Sequence, residues 1–129
     1  KQLVRSGHQV KDCPVIVLGL TFKEDCPDLR NSRVVDVIHE LQSYGARVVI
    51  HDPIADPAEA RHEYGVDLVA WDDLPRSAAI VAAVSHRQLK ERPTADYVQK
   101  LLPGGVVTDV KCMLDVQLLT AQGISVWRL

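Results

Sequence analysis

A chain of 129 residues, 47% hydrophobic and 25% charged, is long enough to bury one core and short enough for a single domain. Its formal net charge of −2 argues against the broad basic face of a nucleic-acid binder, although individual cations still create local fields that attract anionic small molecules. No apolar run approaches the roughly 18 residues of a membrane span, and the opening "KQLVRSGHQVKD" lacks the long apolar centre of a signal peptide.

In chain order, "PVIVLGL" (14–20) is a continuous apolar run, as expected of a strand covered on both faces. Val34, Val37, Ile38 and Leu41 then recur at helical spacing, with Ser32 available as a cap before them and Gly45 as a stop after them. "RVVIHDP" (47–53) reads as a second strand closed by Pro53, and "PAEARHEY" (57–64) as a helix with Pro57 in its first turn and Gly65 beyond its end. "VDLVAWDDLPRS" suggests a short extended segment followed by one helical turn, and "AAIVAAVS" (78–85) another buried strand. Thr94 is positioned to cap a helix running to Leu102, with Val98, Leu101 and Leu102 on one face and Pro103-Gly104 ending it. "GVVTDV" (105–110) is a strand, Asp115–Gln122 a helix stopped by Gly123, and "ISVWRL" (124–129) a final strand.

Strands alternating with helices through short turns predict a single α/β domain, a Rossmann-like three-layer sandwich around a mostly parallel sheet. Ligands in such sheets bind beyond the carboxyl ends of the strands, where strand order reverses. The positions to weigh therefore follow Leu20, His51, Val84, Asp109 and Trp127.

The first strand ends at Gly19, but the glycines of a dinucleotide fingerprint do not follow, and a P-loop's second glycine and Lys-Ser/Thr pair are missing. A long segment, Leu20 to Asn31, intervenes before the helix, and loops of such length are often functional. Phe22 offers a flat apolar face, Lys23 a point charge suited to phosphate, and Arg30 a planar fork for bidentate contact. The competing assignment makes Lys23 a solvated surface lysine, Phe22 a plug for a core gap, and Arg30 a partner for Asp28 or Glu24.

In "TDVKCMLD" (108–115), Lys111 follows another buried strand and shares an edge with Lys23 if the two strands are parallel; its competing role is a pair with Asp109 or Asp115. Asp52 in "HDP" occupies the place where dinucleotide folds grip a ribose hydroxyl, but without the fingerprint a turn before Pro53 is the favoured role. The five histidines show no metal spacing, and His86 is assigned to capping a strand end. Cys13, Cys26 and Cys112 form no CxxC, which argues against a disulfide framework or zinc site and for a reducing, cytoplasmic setting. Cys26 in the long loop is the cysteine expected to be most exposed, and Trp71 and Trp127 are read as packing residues. No set of acid, base and nucleophile emerges, so the residues describe a binding site and no catalytic centre.

"VLGLTFKEDCPDLRNSRVVDVIHELQSYGARVVIHDP", followed by "VSHRQ" and "VVTDVK", resembles the C-terminal, UDP-binding domain of the UDP-glucose/GDP-mannose dehydrogenase family. The resemblance runs from about residue 12 nearly to the end. The "FKEDCPDLRNSR" variant is similar to UDP-N-acetylhexosamine 6-dehydrogenases of the Vi-polysaccharide type. It implies that Phe22, Lys23 and Lys111 contact a UDP-sugar, with Lys111 standing where family members often carry arginine. It also implies that Arg30 reaches toward NAD held by an N-terminal domain, with no metal involved. Residues 1–12 would end a central helical linker, and 13–129 would form the UDP-binding domain. Full-length members oxidise a sugar C6 alcohol to a carboxylate with two NAD and a cysteine nucleophile, in the synthesis of polysaccharide precursors. That cysteine and the glycine-rich NAD fingerprint belong to regions outside this chain, so the domain alone is expected to bind UDP without turnover. Family dimers form largely through the central region, so this chain is expected to be monomeric by itself while the full-length protein dimerises. The chain opens on Lys1 rather than methionine, which fits a piece of a longer protein and fits processing equally. The rival classes are a stand-alone α/β regulatory module, which would want acidic residues at the first strand end for magnesium, and an independent NAD-binding domain, which would want more than one glycine there.

Overall fold

The computed structural model describes residues 1–128. Five parallel strands, β1 (Pro14–Leu18), β2 (Arg47–His51), β3 (Ser77–Ala82), β4 (Leu101–Asp109) and β5 (Ser125–Arg128), form one sheet in the order β2-β1-β3-β4-β5. The sheet is wholly parallel, as short crossover connections through helices require. The last residue of the expected final strand, Leu129, lies outside the described residues.

Alternation along the strands sorts the core into two sides. Ile16, Leu18, Ile80, Ala82 and Val107 face a cluster completed by Trp71, Leu89, Tyr97, Leu101, Leu119 and Ile124. This side is roofed by α4 (Arg87–Lys90), α5 (Thr94–Gln99) and α6 (Val116–Ala121). Each large aliphatic side chain hidden there contributes about 1.5–3 kcal/mol. On the other side, Val17 and Ile50 pack beneath α2 (Val34–Ser43) and α3 (Pro57–Tyr64), through Val34, Val35, Ile38 and Ala60. Leu3 of α1 (Gln2–Arg5) joins Cys13, Val15, Ala79 and Val106 at the amino-terminal edge of that side. Val81 and Thr108 on the same side are only half-buried, and Trp127 is 41% exposed. The second layer therefore stops short of β4 and β5, and Trp127 is not the packing residue expected of it.

The predicted elements recur with differences: the strand expected over 78–85 spans Ser77–Ala82, α4 is not among the expected elements, and two helix starts and one helix end differ. The fifth helix ends at Gln99, and Leu101 and Leu102 begin β4. Two consecutive apolar residues before Pro103-Gly104 suit the inside of a helix or a strand equally, and pairing of Leu101 with Ser77 decides for the strand, with a register irregularity before Val106. Thr94 does not cap that helix; Pro93 occupies the N-cap position without a side-chain bond. Ser32 sits one position before the N-cap residue of α2, where its hydroxyl accepts from Val34 N–H at 3.3 Å and donates to the Leu20 carbonyl at 2.5 Å. The extended segment before Trp71 pairs Leu68 with Ile50, and Trp71–Asp73 forms the expected helical turn.

Strand order reverses between β1 and β3. Consecutive strands there lead away from each other on opposite faces, which leaves a crevice beyond their carboxyl ends. Gly19, at the end of β1, is buried against Val84. Its φ of +92° is a left-handed conformation, and a Cβ there would lie 2.5 Å from Val84 Cβ and 2.9 Å from the Val84 backbone nitrogen.

Candidate functional site

Beside these strand ends, on the α2 face of the sheet, lies a cavity of about 530 Å³. Its floor is apolar, formed by Val37 and Leu41 of α2, Val81, Val84 and Val110. Phe22, Lys23 and Lys111 line the same cavity. The structure thus brings together three of the four residues that the sequence singles out, across the β1-α2 and β4-α6 loops. Phe22 is 55% exposed, so it plugs no core gap. Val37, expected on the buried face of its helix, is 41% exposed because it faces this cavity.

Lys111 does not take its competing role as a partner of Asp109 or Asp115, while Lys23 is exposed, as the solvated lysine of its competing role would also be. Among the described residues, no ion pair involves Lys23 or Lys111. Asp109 is fully buried and pairs with Arg128, whose Nη2 lies 3.2 Å away. It also accepts from Met113 N–H and Leu114 N–H at 3.0 Å each. Asp115 caps α6 by accepting from Leu118 N–H. Asp109 therefore shapes the turn that carries Lys111 and leaves the ammonium to the cavity.

Arg33, at the N-cap position of α2, also lines the cavity and was not singled out from sequence. No motif marks it; only the winding of the long loop over the sheet brings it level with Lys23. Three cations then face Glu24 as the one carboxylate among the lining residues. Such a ring over an apolar floor suits a polyanionic ligand with a flat apolar part.

Arg30 does not line this cavity. Its guanidinium forms a fork with Asp28, Nε to Oδ1 at 3.0 Å and Nη2 to Oδ2 at 3.2 Å, and its side chain is 77% exposed. Bonds from Arg30 hold the Asp28 carboxyl below its ordinary value.

The loop owes its shape to Asp52, which does more than turn the chain. Its Oδ1 accepts from Ile54 N–H and Ala55 N–H at 2.9 Å each, forming the expected turn. Its Oδ2 accepts from Leu20 N–H at 2.6 Å, Thr21 N–H at 3.2 Å and His86 Nε2 at 3.0 Å. Burial works against the charge of Asp52, but the bonds from His86, Leu20 and Ile54 outweigh it and lower its pKa to about 2. His86 does not merely cap a strand end, because its ring is completely buried within this network. A motif search misses it because histidine and aspartate meet from residues far apart in the chain. Nearby, burial lowers His51, whose Nδ1–H donates to the Val69 carbonyl at 2.8 Å.

None of the cysteines lines the cavity. Cys13 is buried, Cys26 half-buried and Cys112 exposed, so Cys112, not Cys26, is the most accessible. Among the described residues there is no cluster of metal-ligating side chains and no helix long and apolar enough to cross a membrane. Gly19 offers no cradle for a dinucleotide pyrophosphate, since Val84 fills the space beside it.

Over its whole length the chain is 38% identical to Protein CapL of Staphylococcus aureus and covers 30% of that protein. It is 42% identical over 96 residues to UDP-N-acetyl-D-glucosamine 6-dehydrogenase of Salmonella typhi, a match that covers 74% of this chain and 23% of the relative. Its fold superposes on NDP-N-acetyl-D-galactosaminuronic acid dehydrogenase from Methanosarcina mazei Go1 with a TM-score of 0.87, over 98% of this chain and 26% of that one, at 20% identity. The chain spans less than a third of each of these proteins. Residues 16–116, from within β1 to the first residue of α6, match the UDP binding domain of the UDP-glucose/GDP-mannose dehydrogenase family, and the chain belongs to that family.

Proposed function

We propose that this chain is the UDP-binding lobe of an NAD-dependent UDP-sugar 6-dehydrogenase serving polysaccharide precursor synthesis in the cytoplasm. The observation that carries the reading is the convergence of Phe22, Lys23 and Lys111 on one cavity at the reversal point of the sheet. Lys23 and Lys111 take the diphosphate, with Arg33 adding a third positive charge. Phe22 and the valine floor meet the flat, less polar part of the nucleotide. Lysine at position 111 supplies charge without a bidentate fork.

NAD supplies the hydride chemistry of such enzymes when bound. The strand end at Gly19 does not fit it, because Val84 occupies the approach that a pyrophosphate needs. The cofactor is therefore assigned to an N-terminal domain of the longer protein, and Arg30, exposed and forked on Asp28, is the residue proposed to reach it. Residues 13–129 form the lobe, and 1–12 the end of the helical segment joining it to the rest. The cavity side chains bind and orient, and the isolated lobe is inactive and monomeric while the full-length protein dimerises.

Isothermal titration of the chain with UDP, UDP-N-acetylglucosamine, NAD and magnesium tests this reading. UDP and the UDP-sugar should bind. Lys23→Ala and Lys111→Ala should each weaken UDP by about 5- to 30-fold, the scale of one charge-assisted hydrogen bond at a partly exposed site. Binding of NAD but not UDP, or affinities indifferent to both substitutions, would sink it.

A further inference from the structure

Phe22, Lys23 and Glu24 line the cavity from an exposed segment whose two ends meet a single buried ring. At one end the Thr21 hydroxyl oxygen lies 3.1 Å from His86 Nε2. At the other, Asp25 N–H donates to His86 Nδ1 at 3.0 Å. A backbone N–H only donates, so Nδ1 keeps its lone pair and the ring hydrogen resides on Nε2, an assignment made from the hydrogen-bond network. Nε2–H is then shared between Asp52 Oδ2, at 3.0 Å, and the Thr21 oxygen. The Thr21 hydroxyl hydrogen goes to the Lys23 carbonyl at 3.1 Å. The Asp25 carboxylate closes the circuit by accepting from Arg87 N–H at 2.8 Å, which ties the segment to α4. Every donor has an acceptor only if the imidazole is neutral with its hydrogen on Nε2.

We infer that His86 is the positioning residue of the nucleotide site: it touches no ligand, and it holds the Thr21–Asp25 segment in the shape that presents Phe22 and Lys23. The inference rests on the UDP-binding reading above. His86 itself is absent from the cavity lining, so any effect on UDP passes through that segment. Removing the ring leaves the Asp25 N–H, the Thr21 hydroxyl and a buried carboxylate without a shared partner, and a partly satisfied buried network is costlier than a complete one.

Three substitutions separate the two nitrogens. His86→Ala removes both bonds, His86→Asn offers an acceptor near Nδ1, and His86→Gln offers a donor near Nε2. UDP affinity, measured per folded molecule by titration, should fall tenfold or more in His86→Ala and recover in part in each amide variant. Hydrogen exchange at the Asp25 amide should accelerate at least tenfold in the Ala and Gln variants and stay near that of the unaltered chain in His86→Asn. Nitrogen-15 NMR of the unaltered chain should show His86 with Nδ1 bare and Nε2 protonated. If UDP binds and Lys23→Ala weakens it while His86→Ala binds as tightly as the unaltered chain, the positioning role is refuted and the UDP reading stands. If the unaltered chain fails to bind UDP, that reading falls first, and unchanged Asp25 exchange in His86→Ala then removes the positioning role as well. Should His86→Ala not fold, the amide variants and the NMR spectrum decide, and a protonated Nδ1 overturns the assignment.

Discussion

Gly19 shows how one residue can suggest one function and serve another. In sequence it marks the end of an apolar strand and invites comparison with a phosphate-binding turn. In the structure its missing Cβ admits Val84 of the neighbouring crossover, so the glycine serves close packing of protein against protein. Gly19→Ala meets both a left-handed backbone and a clash that Val84's backbone nitrogen cannot relieve. It should cost about 2–5 kcal/mol, read as a lower urea midpoint; a loss below about 0.5 kcal/mol would show that the strand end relaxes freely. The lysines behave differently. Lys23 and Lys111 could be nominated from residue type and position after a strand, and both line the cavity. Arg33 was not legible, because nothing local separates a cavity-facing arginine at a helix start from a solvated one.

At the scale of elements, two buried aspartates at strand ends shape the two loops that carry the site. Asp52 follows β2 and holds the Leu20–Thr21 backbone, while Asp109 ends β4 and holds Met113 and Leu114. Each accepts from backbone N–H groups of its loop, with His86 as a further partner of Asp52 and Arg128 of Asp109, so Asp109 is not available to Lys111. Asp109→Ala should therefore cost about 2–4 kcal/mol, since it strands two N–H groups and half-exposed Arg128. Hydrogen exchange should also quicken across Val110–Leu114. If exchange there is unchanged while stability falls, Asp109 supports the sheet and not the loop. The misassigned stretch Leu101–Leu102 belongs to this scale too. Its apolar pair satisfies helical and strand periodicity alike, and only pairing with β3 resolves it.

The whole molecule carries an acid sensitivity that follows from these buried groups. Asp52 has its pKa lowered to about 2 from 3.8. A carboxyl depressed in the folded state stabilises it above the unfolded value and loses that contribution as pH falls through the folded value. About 2 kcal/mol should thus disappear between pH about 4 and about 2. His51, lowered by burial, acts in the same direction at higher pH, its share beginning to fade as pH drops below its ordinary value. Urea midpoints recorded from pH 7 to 2.5 should fall in that window. Asp52→Asn should flatten the acidic part of the curve, and an unaltered slope in that variant would assign acid unfolding to other carboxylates.

The sequence by itself determined the alternating α/β plan, the order of its strands along the chain and the family resemblance, and it nominated the two lysines as candidates. Those follow from periodicity, turn residues and short motifs, which are properties of neighbours in the chain. Only the tertiary structure decided that β1 lies between β2 and β3, that Phe22, Lys23, Arg33 and Lys111 share a cavity, and that Arg30 is forked onto Asp28 outside it. The pairing of His86 with Asp52 likewise appears only once β1 has brought the ends of β2 and β3 to its two sides. Contacts between residues distant in the chain depend on strand order and on which face each side chain takes, and local sequence encodes neither.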